Sequence, residues 1–413
     1  MDYCSQPGLL PLAEAIARMK AAISPTTAIE VVKLQAALDR VVAEPIYSQV
    51  NIPSHDNSAM DGYAFARTQT NLIQPLKIMG TALAGHPFIG AIAPGECVRI
   101  MTGAVVPEGA DTVVMQEQVT VIEDAIQLSR IPELGENIRR AGEDIATHSL
   151  VIEKGKRISP IDIGLLASLG VSELKVYKSI RVAVLSTGDE LKPLGEPLKP
   201  GELYDSNRQT LLALLSRLDV KVIDCGLVAD DPEKIHAAFE SAIAEADVVI
   251  SSGGVSVGDA DYTKSVLASL GNINFWKVAM KPGKPFAFGS FKKEAGACYF
   301  FGLPGNPVSA VVTYHQLVLP ALRHLSGENI SETLSINLVT ATPFKKQPGR
   351  ADYQRGVLEN IDGHLKISST GNQSSGVLSS IARANAYIVL EQERGAVTKG
   401  ETVTVVPFDK YLQ

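Results

Sequence analysis

The sequence feature that most limits the possible folds is a regular alternation of two kinds of segment between Ile180 and Leu325. Short apolar, β-branched segments predict strands, and longer segments with apolar residues at helical spacing predict helices. The predicted strands are IRVAVLS, VKVIDCGLV, ADVVISS, FWKVAM, PFAFGSF and ACYFFGL, and the predicted helices are NRQTLLALLSRL, DPEKIHAAFESAIAEA, DYTKSVLASL and NPVSAVVTYHQLVLPALRHL. This order predicts a doubly wound α/β domain, with a parallel sheet and helices on both of its faces.

Two of these helices carry a recognisable start signal. Asp231-Pro232 and Asn306-Pro307 each combine a residue that commonly caps a helix with a proline at the first helical position. We therefore expect the helices to begin at Pro232 and Pro307.

The remaining sequence predicts three further domains. Helical spacing at 10–23 and 31–46, and again at 161–170, predicts a helical linking domain. Short β-rich pieces alternate with Pro/Gly turns between about 47 and 145 and predict a compact β-rich domain, and the β-rich end of the chain predicts a C-terminal β-barrel. The predicted boundaries are 8–46 with 147–178 for the discontinuous linking domain, 47–146 for the β-rich domain, 179–328 for the α/β domain and 329–413 for the C-terminal barrel.

Charge and cysteine content exclude several classes of function. The net charge of the 413 residues is −7, which argues against a general nucleic-acid or anionic-membrane surface. The four cysteines (Cys4, Cys97, Cys225 and Cys298) form no C-x-x-C pair, so a zinc knuckle or a dithiol redox motif is not expected.

No signal peptide and no run of roughly 20 apolar residues is present, and we expect a cytoplasmic protein.

Three polar loops follow predicted strands of the α/β domain: STGDEL (186–191), SSGGVSVGDADYTK (251–264) and LPGNPVS (303–309). Ligands of such sheets bind beyond the carboxyl ends of the strands, so the loops predict a binding site. The second loop combines glycines that allow close backbone approach with Asp259 and Asp261, which suggests a phosphate and a metal together. In the alternative interpretation, Asp261 only caps the following helix and the glycines only turn the chain.

A local basic element lies in KVAMKPGKPFAF (277–288), where Lys281 and Lys284 flank a Pro-Gly turn. Two ammonium groups held close together favour an anion, although both could instead be solvated loop lysines. Together with the acids Glu190, Asp259 and Asp261, which could hold Mg²⁺, they predict a phosphorylated ligand and a hard cation.

The β-rich domain contains three polar stretches: PSHDNSAMDGYAF (53–65), IMTGAVVPEGAD (100–111) and NIRRAGEDI (137–145). Taken singly, each is typical of turns.

Eight segments, in one order along the chain, resemble a known family. They are DNSAMDGYA, RIMTGAVVPEGADTVVMQE, IRRAGEDI, LSTGDEL, YDSN, SSGGVSVGDADYTK, KPGKPFAFG and GLPGNPVSA. This series resembles the bacterial molybdopterin molybdenumtransferases, to which the E domain of gephyrin is related. The resemblance runs from about residue 10 to about residue 410.

The resemblance implies an elongated homodimer with four domains per subunit and an active cleft shared between the subunits. It implies Mg²⁺-dependent cleavage of adenylylated molybdopterin in the presence of molybdate, which gives molybdenum cofactor and AMP. It also implies an upstream adenylyltransferase and downstream molybdoenzyme chaperones as partners, with no nucleic acid and no membrane.

The same resemblance assigns roles to individual residues. The catalytic set is Asp61, Thr102, Asp144, Glu190 and Asp230. The substrate-binding set is Thr187, Gly188, Asp189, Gly253, Gly254, Ser256, Gly258, Asp259, Pro304, Asn306 and Pro307. The molybdate set is Lys281, Lys284, Pro285, Ser309, Arg350 and either or both of Ser374 and Ser375. The magnesium ligands are Asp261 and Glu190.

Three other functions stay open at this point. The α/β domain resembles an adenylyltransferase, the related gephyrin module acts as a scaffold, and the chain could carry the pterin passively. Molybdate-dependent release of AMP would distinguish a molybdenumtransferase from all three of these alternatives.

Overall fold

The structure is a computed structural model that describes residues 8–253, 262–294 and 296–412. Five of the predicted substrate and metal residues therefore lie outside the described residues: Gly254, Ser256, Gly258, Asp259 and Asp261.

The N-terminal segment contains one helix and two short strands: α1 (Leu12–Ala22), β1 (Ile29–Lys33) and β2 (Ile46–Tyr47). The second helix predicted at 31–46 is wrong, because only a single 3₁₀ turn (Leu34–Ala36) forms there. Val31 and Val32 instead lie in β1, since β-branched residues suit a strand and pairing with a distant segment outweighs a weak local helical pattern.

A front unit of β-strands follows, as the sequence predicted. Its strands are β3 (Asn57–Ser58), β4 (Gly62–Phe65), β5 (Leu76–Ala82), β6 (Glu96–Ile100), β7 (Thr112–Met115), β8 (Val119–Ile122), β9 (Ala125–Leu128) and β10 (Ile138–Arg139). Six of them form a sheet in the order β7-β4-β6-β5-β9-β8, and β3 and β10 form a separate two-stranded pair.

The chain then returns to the N-terminal segment through β11 (Leu150–Ile152), α2 (Pro160–Ser168) and β12 (Glu173–Tyr177). β11 pairs with β2, and β12 pairs with β1, so the front unit is an insertion between two paired halves of a linking unit. The helix predicted at 161–170 is confirmed as α2, which begins with a capping box between Ser159 and Asp162. The linking unit is less helical than predicted, because two strand pairs form its centre.

The α/β unit contains the predicted alternation. Its elements are β13 (Ile180–Thr187), β14 (Leu191–Lys192), β15 (Leu203–Tyr204), α3 (Ser206–Leu215), β16 (Val220–Val228), α4 (Pro232–Glu245), β17 (Val248–Ser252), α5 (Tyr262–Leu270), β18 (Asn272–Lys277), β19 (Met280–Lys281), β20 (Pro285–Lys292), β21 (Ala297–Leu303), α6 (Pro307–Thr313) and α7 (Leu319–Leu325).

The main sheet has the order β16-β13-β17-β21-β20-β18, and only its first four strands are parallel. The prediction of a parallel sheet is therefore wrong at one edge, where β20 and β18 run antiparallel. A few residues join β20 to β21, which suffices for a hairpin, whereas a parallel pair requires a long crossover.

Helices cover both faces of this sheet. Val182 and Val184 of β13 point to one core, together with α3, α6 and α7, and their neighbours Ala183 and Leu185 point to the other, with α4 and α5. Met19 of α1 also belongs to the first core, so the N-terminal helix packs on the α/β unit.

The long helix predicted to begin at Pro307 is continuous to Leu325, with a π-helical turn at Tyr314–Val318 between α6 and α7. Pro320 provides the physical reason, because a proline inside a helix removes one backbone donor and displaces the preceding turn.

The C-terminal unit contains β22 (Ile336–Val339), β23 (Ala351–Ile361), β24 (His364–Ser369), α8 (Leu378–Ala382), β25 (Ala386–Leu390) and β26 (Thr402–Pro407). The strand order is β19-β23-β25-β26-β22, with β24 on the other part of β23, and a bridge joins Thr340 to Ile367. Closure into a barrel stays a prediction. Because β19 belongs to the α/β unit, this sheet also ties the two units together.

Within the described residues, none of the helices has the length and apolar character needed to cross a membrane.

Candidate active site

A polar cavity of about 810 Å³ lies where the α/β unit meets the C-terminal unit. All of the residues assigned to molybdate line it: Lys281, Lys284, Pro285, Ser309, Arg350, Ser374 and Ser375. The structure therefore brings together residues that are almost a hundred positions apart in the sequence. Both serines that the resemblance left undecided face the same space.

Lys281 and Lys284 are positioned by the ends of β19 and β20. The N–H of Val278 donates to the carbonyl of Lys284 at 2.8 Å and so closes the turn that carries both lysines. Lys281 lies 3.4 Å from Oδ2 of the buried Asp352, whereas Lys284 has no carboxylate within ion-pair distance in the part of the chain that the structure describes. At least one ammonium group is thus available to an anion.

Ser374 and Ser375 lie in one loop, called the serine loop below. Gln373 and Arg355 hold this loop against β23. The backbone N–H of Arg355 donates to Oε1 of Gln373 at 2.8 Å, and Nε2 of Gln373 donates to the carbonyl of Arg355 at 3.0 Å. The Arg355 guanidinium also donates to the carbonyl of Ser374 at 3.4 Å and to Oγ of Ser380 at 3.1 Å. This network fixes the loop that presents both serines to the cavity.

Arg355 is a residue that the sequence reasoning missed. Its side chain is fully buried without a carboxylate partner among the described residues, and burial lowers its pKa. The segment PGRADYQRG contains Arg355 five positions after the assigned Arg350, but nothing local in it marks the second arginine as buried.

The cationic surface continues into a neighbouring cavity of about 600 Å³, which shares Lys281, Lys284 and Arg350 with the first. Lys346 lines this second cavity, and its ammonium donates to the carbonyls of Gln347 at 3.0 Å and Arg394 at 3.1 Å. Burial lowers the pKa of Lys346. In a chain of negative net charge, these cations form a local anion-attracting region.

A third cavity, of about 580 Å³, lies beyond the carboxyl ends of the parallel strands, at the place where doubly wound sheets bind ligands. Five residues assigned to substrate or catalysis line it: Thr187, Glu190, Gly253, Asn306 and Pro307. One wall is apolar and consists of Leu191, Leu198, Leu203 and Tyr204 from the segment around β14 and β15, which the sequence reasoning missed. Gly188, Asp189 and Pro304 adjoin this cleft along the chain.

Asn306 lines both the first cavity, of about 810 Å³, and the third, of about 580 Å³. It occupies the cap position of α6, as the sequence predicted, but its side chain makes no capping hydrogen bond. Among the described residues its amide has no capping partner, so it can contact a ligand that extends from one cavity into the other.

Acidic groups lie together at the rim of the third cavity, which is called the nucleotide-sized cleft below. The N–H of Asp230 donates to Oδ1 of Asp189 at 3.0 Å, and the carboxylate of Glu190 folds over Gly188. Partial desolvation, reinforced by the negative charges of Asp189 and Glu190, raises the pKa of Asp230. Such crowding of carboxylates is relieved by a cation.

The acids assigned to the front unit lie on exposed turns. Oδ1 of Asp61 accepts hydrogen bonds from the N–H of Thr102 at 2.7 Å and from its hydroxyl at 2.8 Å, and these bonds lower the pKa of Asp61. The N–H of Asp144 donates to the carbonyl of Ile52 at 3.0 Å. None of the three residues lines the cavities described above.

The residues present are chemically suited to Mg²⁺, which prefers one or two carboxylates and completes its shell with water and phosphate oxygens. Among the described residues no group of three or more possible metal ligands converges. The oxygen donors Asp189, Glu190 and Asp230 nevertheless fit a magnesium–phosphate complex better than an all-protein metal cage. The predicted ligand Asp261 lies outside the described residues.

Three family models match successive parts of the chain. Residues 10–170 match the MoeA N-terminal region (domain I and II), residues 183–324 match a probable molybdopterin binding domain, and residues 337–408 match the MoeA C-terminal region (domain IV).

Individual relatives are similar over nearly the whole chain. A molybdopterin molybdenumtransferase of Haemophilus influenzae is 46% identical over 98% of this chain and 100% of its own length. A gephyrin of Dictyostelium discoideum is 32% identical over 92% of this chain and 59% of its own length. A crystal structure of a molybdopterin biosynthesis MoeA protein from Pyrococcus horikoshii superposes with a TM-score of 0.83 at 27% identity, covering 97% of this chain and 100% of that one.

Proposed function

Since this chain belongs to the molybdopterin molybdenumtransferase family of enzymes, which act in molybdenum cofactor biosynthesis, we propose how it inserts molybdenum. The substrate is adenylylated molybdopterin, the molybdenum comes from molybdate, and Mg²⁺-dependent cleavage of the pyrophosphate bond releases AMP and molybdenum cofactor. The observation that carries the proposal is the adjacency, at Asn306, of a cationic cavity and a nucleotide-sized cleft.

The cationic cavity is the proposed molybdate pocket. Molybdate is a tetrahedral dianion, and charged donors such as Lys284 and Arg350, together with the hydroxyl of the buried Ser309, supply the hydrogen bonds that such an anion needs. The rigid attachment of the serine loop through Gln373 keeps these donors in place, so little reorganisation accompanies binding.

The cleft beyond the strand ends is the proposed site of the pterin nucleotide. Glu190, with Asp189 and Asp230 beside it, would hold Mg²⁺ there, and the cation would neutralise phosphate charge as the bond breaks. The residues of the chain itself orient the phosphates and exclude water, and the apolar wall at Leu198 and Leu203 covers a planar ring. In this proposal an oxygen atom of molybdate or of water attacks a phosphorus atom of the pyrophosphate, and the bond from that phosphorus to the bridging oxygen breaks, which releases AMP.

The front unit contributes from a second subunit. Asp61 and Thr102 form an exposed, preformed pair that lines none of the described cavities of its own chain, and Asp144 is exposed as well. This placement supports a homodimer in which the cleft is completed by the partner. An upstream adenylyltransferase supplies the substrate and downstream chaperones receive the product, and a cytoplasmic location stays a prediction from the sequence.

The test measures AMP release and molybdate binding separately. Lys284→Met should weaken molybdate binding about tenfold or more, because it removes from the pocket a charge that has no carboxylate partner among the described residues. Asp61→Asn keeps an oxygen that accepts from Thr102, so the variant should fold normally but release AMP slowly. Lys292→Met, on the exposed end of β20, is the control.

Unchanged molybdate affinity in Lys284→Met would refute the pocket assignment. Unchanged AMP release in Asp61→Asn would refute the role of the front unit. ATP consumption without added pterin nucleotide would instead indicate an adenylyltransferase.

A further inference from the structure

The segment YDSN (204–207) belongs to neither the proposed catalytic set nor the molybdate set, yet it lies at the centre of the cleft. Asp205 caps α3 and is buried, and Ser206 and Asn207 form the first residues of the helix. All three line the nucleotide-sized cleft.

Asn207 joins the ends of two parallel strands. Its Nδ2 donates to Oγ of Ser252, the last residue of β17, at 2.9 Å, and to the carbonyl of Gly305, two residues after β21, at 2.7 Å. One amide group has two donor hydrogens, so both bonds can form at once. Ser252 and Gly305, which both line the cleft, are thereby tied to one side chain.

Asp205 and Arg208 join the other two parallel strands to the same helical turn. Oδ1 of Asp205 accepts from the hydroxyl of Ser186, near the end of β13, at 3.2 Å, and Oδ2 accepts from Nε of Arg208 at 3.0 Å. Arg208 in turn donates to Asp224 of β16 at 2.5 and 2.6 Å. Asp224 precedes Gly226, where the pairing of β16 with β13 shifts register.

The first turn of α3 and its cap are therefore bonded to β13, β16 and β17 and to Gly305, two residues beyond β21. We propose that this turn is the cross-brace of the nucleotide cleft and that Asn207 is a positioning residue, which holds Gly305 in a fixed position relative to Ser252 in the cleft wall. Groups that bind a ligand act only when they are held at the spacing of that ligand. The pairing of β17 with β21 ends at Ser252 and Leu303, and beyond it the Asn207 amide holds Gly305. The inference rests on the proposed placement of the substrate in this cleft.

The experiment titrates the full-length protein with AMP and, separately, with molybdate, and follows both by calorimetry. In Asn207→Leu, which has a similar volume but no donors, AMP affinity should fall about tenfold, as expected for losing one or two net hydrogen bonds. Molybdate affinity should change much less, because Ser309 is held by the buried face of α6. Asn207→Ala provides a second variant if the leucine variant does not fold.

Asn385→Leu is the matched control. The Asn385 amide also makes two hydrogen bonds, of 2.7 and 2.9 Å, both to the backbone of Leu358 in the C-terminal unit, and it lines none of the cavities described here. We expect a lower thermal midpoint for this variant with unchanged AMP affinity. If it weakens AMP binding as much as Asn207→Leu does, the effect is general destabilisation and the inference is overturned.

A cleft-wall variant separates this inference from the proposed function. Leu203→Glu places a negative charge against the nucleotide and should weaken AMP binding wherever the brace is located. If Leu203→Glu weakens AMP binding and both Asn207 variants bind AMP normally, the cross-brace is refuted and the cleft assignment survives. If the wild type does not bind AMP, or Leu203→Glu binds it normally, the cleft assignment fails and the inference fails with it.

Discussion

At the scale of single residues, the turn that carries the two site lysines depends on a glycine. Gly283 has φ of +113°, and a Cβ there would lie 3.2 Å from Cε of Met280 and deep inside contact distance of Oγ1 of Thr313. We expect Gly283→Ala to lower the stability by about 1 kcal/mol for the backbone strain and by a further ~1–3 kcal/mol for the steric conflict. Chemical denaturation of wild type and variant measures the difference.

Gly363→Ala is the control for that prediction. Gly363 has φ of +79°, and no atom lies within 4 Å of the position that a Cβ would take there, so its substitution should cost the strain alone. Thr313→Ala should recover part of the loss in Gly283→Ala, because it removes the hydroxyl that the new methyl group meets. Equal losses at Gly283 and Gly363 would show that the turn does not pack against α6 as described.

The residues that the sequence could predict are those with a distinctive local pattern. Lys281 and Lys284 flank a Pro-Gly turn, and their convergence with Arg350 was inferred only through the family resemblance. Arg355 could not be predicted in the same way, because its burial depends on the loop containing Gln373 and on Ser380, both contributed by later segments.

At the scale of elements, helix α4 begins with two adjacent acids that have opposite effects on stability. Asp231 caps the helix by accepting from the N–H groups of Glu233 and Lys234, each at 3.0 Å. Asp231→Ala should therefore lower the stability by about 1 kcal/mol. AMP release should be unchanged, because the residue lies outside the proposed site.

The neighbouring carboxylate of Asp230 should lower the stability at neutral pH, whereas that of Asp231 raises it. The folded chain raises the pKa of Asp230, so the folded state binds its proton more readily than the unfolded state does. Folding is consequently disfavoured as the pH rises above the ordinary value of 3.8 and through the higher folded pKa. Asp230→Asn should raise the thermal midpoint slightly at pH 7 but not at pH 3, and should abolish AMP release. A lower midpoint at pH 7 would contradict the described crowding of carboxylates.

The sequence predicted helices and strands correctly wherever the local pattern was long and regular, as in α4 and β13. It failed where pairing with a distant segment determines the secondary structure. The segment 31–46 has helical spacing, yet β1 forms because β12 offers it a partner. Strands β18 and β20 were predicted as strands, but their antiparallel direction was not, because a short apolar strand carries no local mark of its direction. The π-helical turn likewise reflects Pro320 inside a strongly packed helix.

At the scale of the whole molecule, the linking unit and the α/β unit are joined by a buried ionic cluster. Nη2 of Arg157 donates to Glu328 at 2.6 Å, and Nη2 of Arg323 donates to the same carboxylate at 2.7 Å. The Glu328 side chain is only 5% exposed. Although burial alone favours its neutral form, hydrogen bonds from Arg323 and Arg157 lower the pKa of Glu328.

A carboxyl group with a lowered pKa in the folded state stabilises that state above its unfolded pKa, and the stabilisation is lost as the pH falls through the folded pKa. For Glu328 this contribution is complete above the ordinary value of 4.5 and disappears below the lower, folded value. Glu328→Gln leaves two arginines without a counter-ion and should cost about 3–5 kcal/mol at pH 7. Calorimetric scans at pH 7 and at pH 3 should show the difference from wild type shrinking in acid.

Glu44→Gln is the comparison, because Glu44 pairs with Lys175 at 3.0 Å on the surface of the linking unit, with both side chains about half exposed. Removing that pair should change the stability by less than about 1 kcal/mol at either pH, since solvent screens an exposed pair. A pH-independent loss in Glu328→Gln would mean that packing, and not charge, joins the two units. A small loss, equal to that of Glu44→Gln, would mean that the cluster does not hold the two units together, and the junction would then depend on the packing of α1 against the α/β unit.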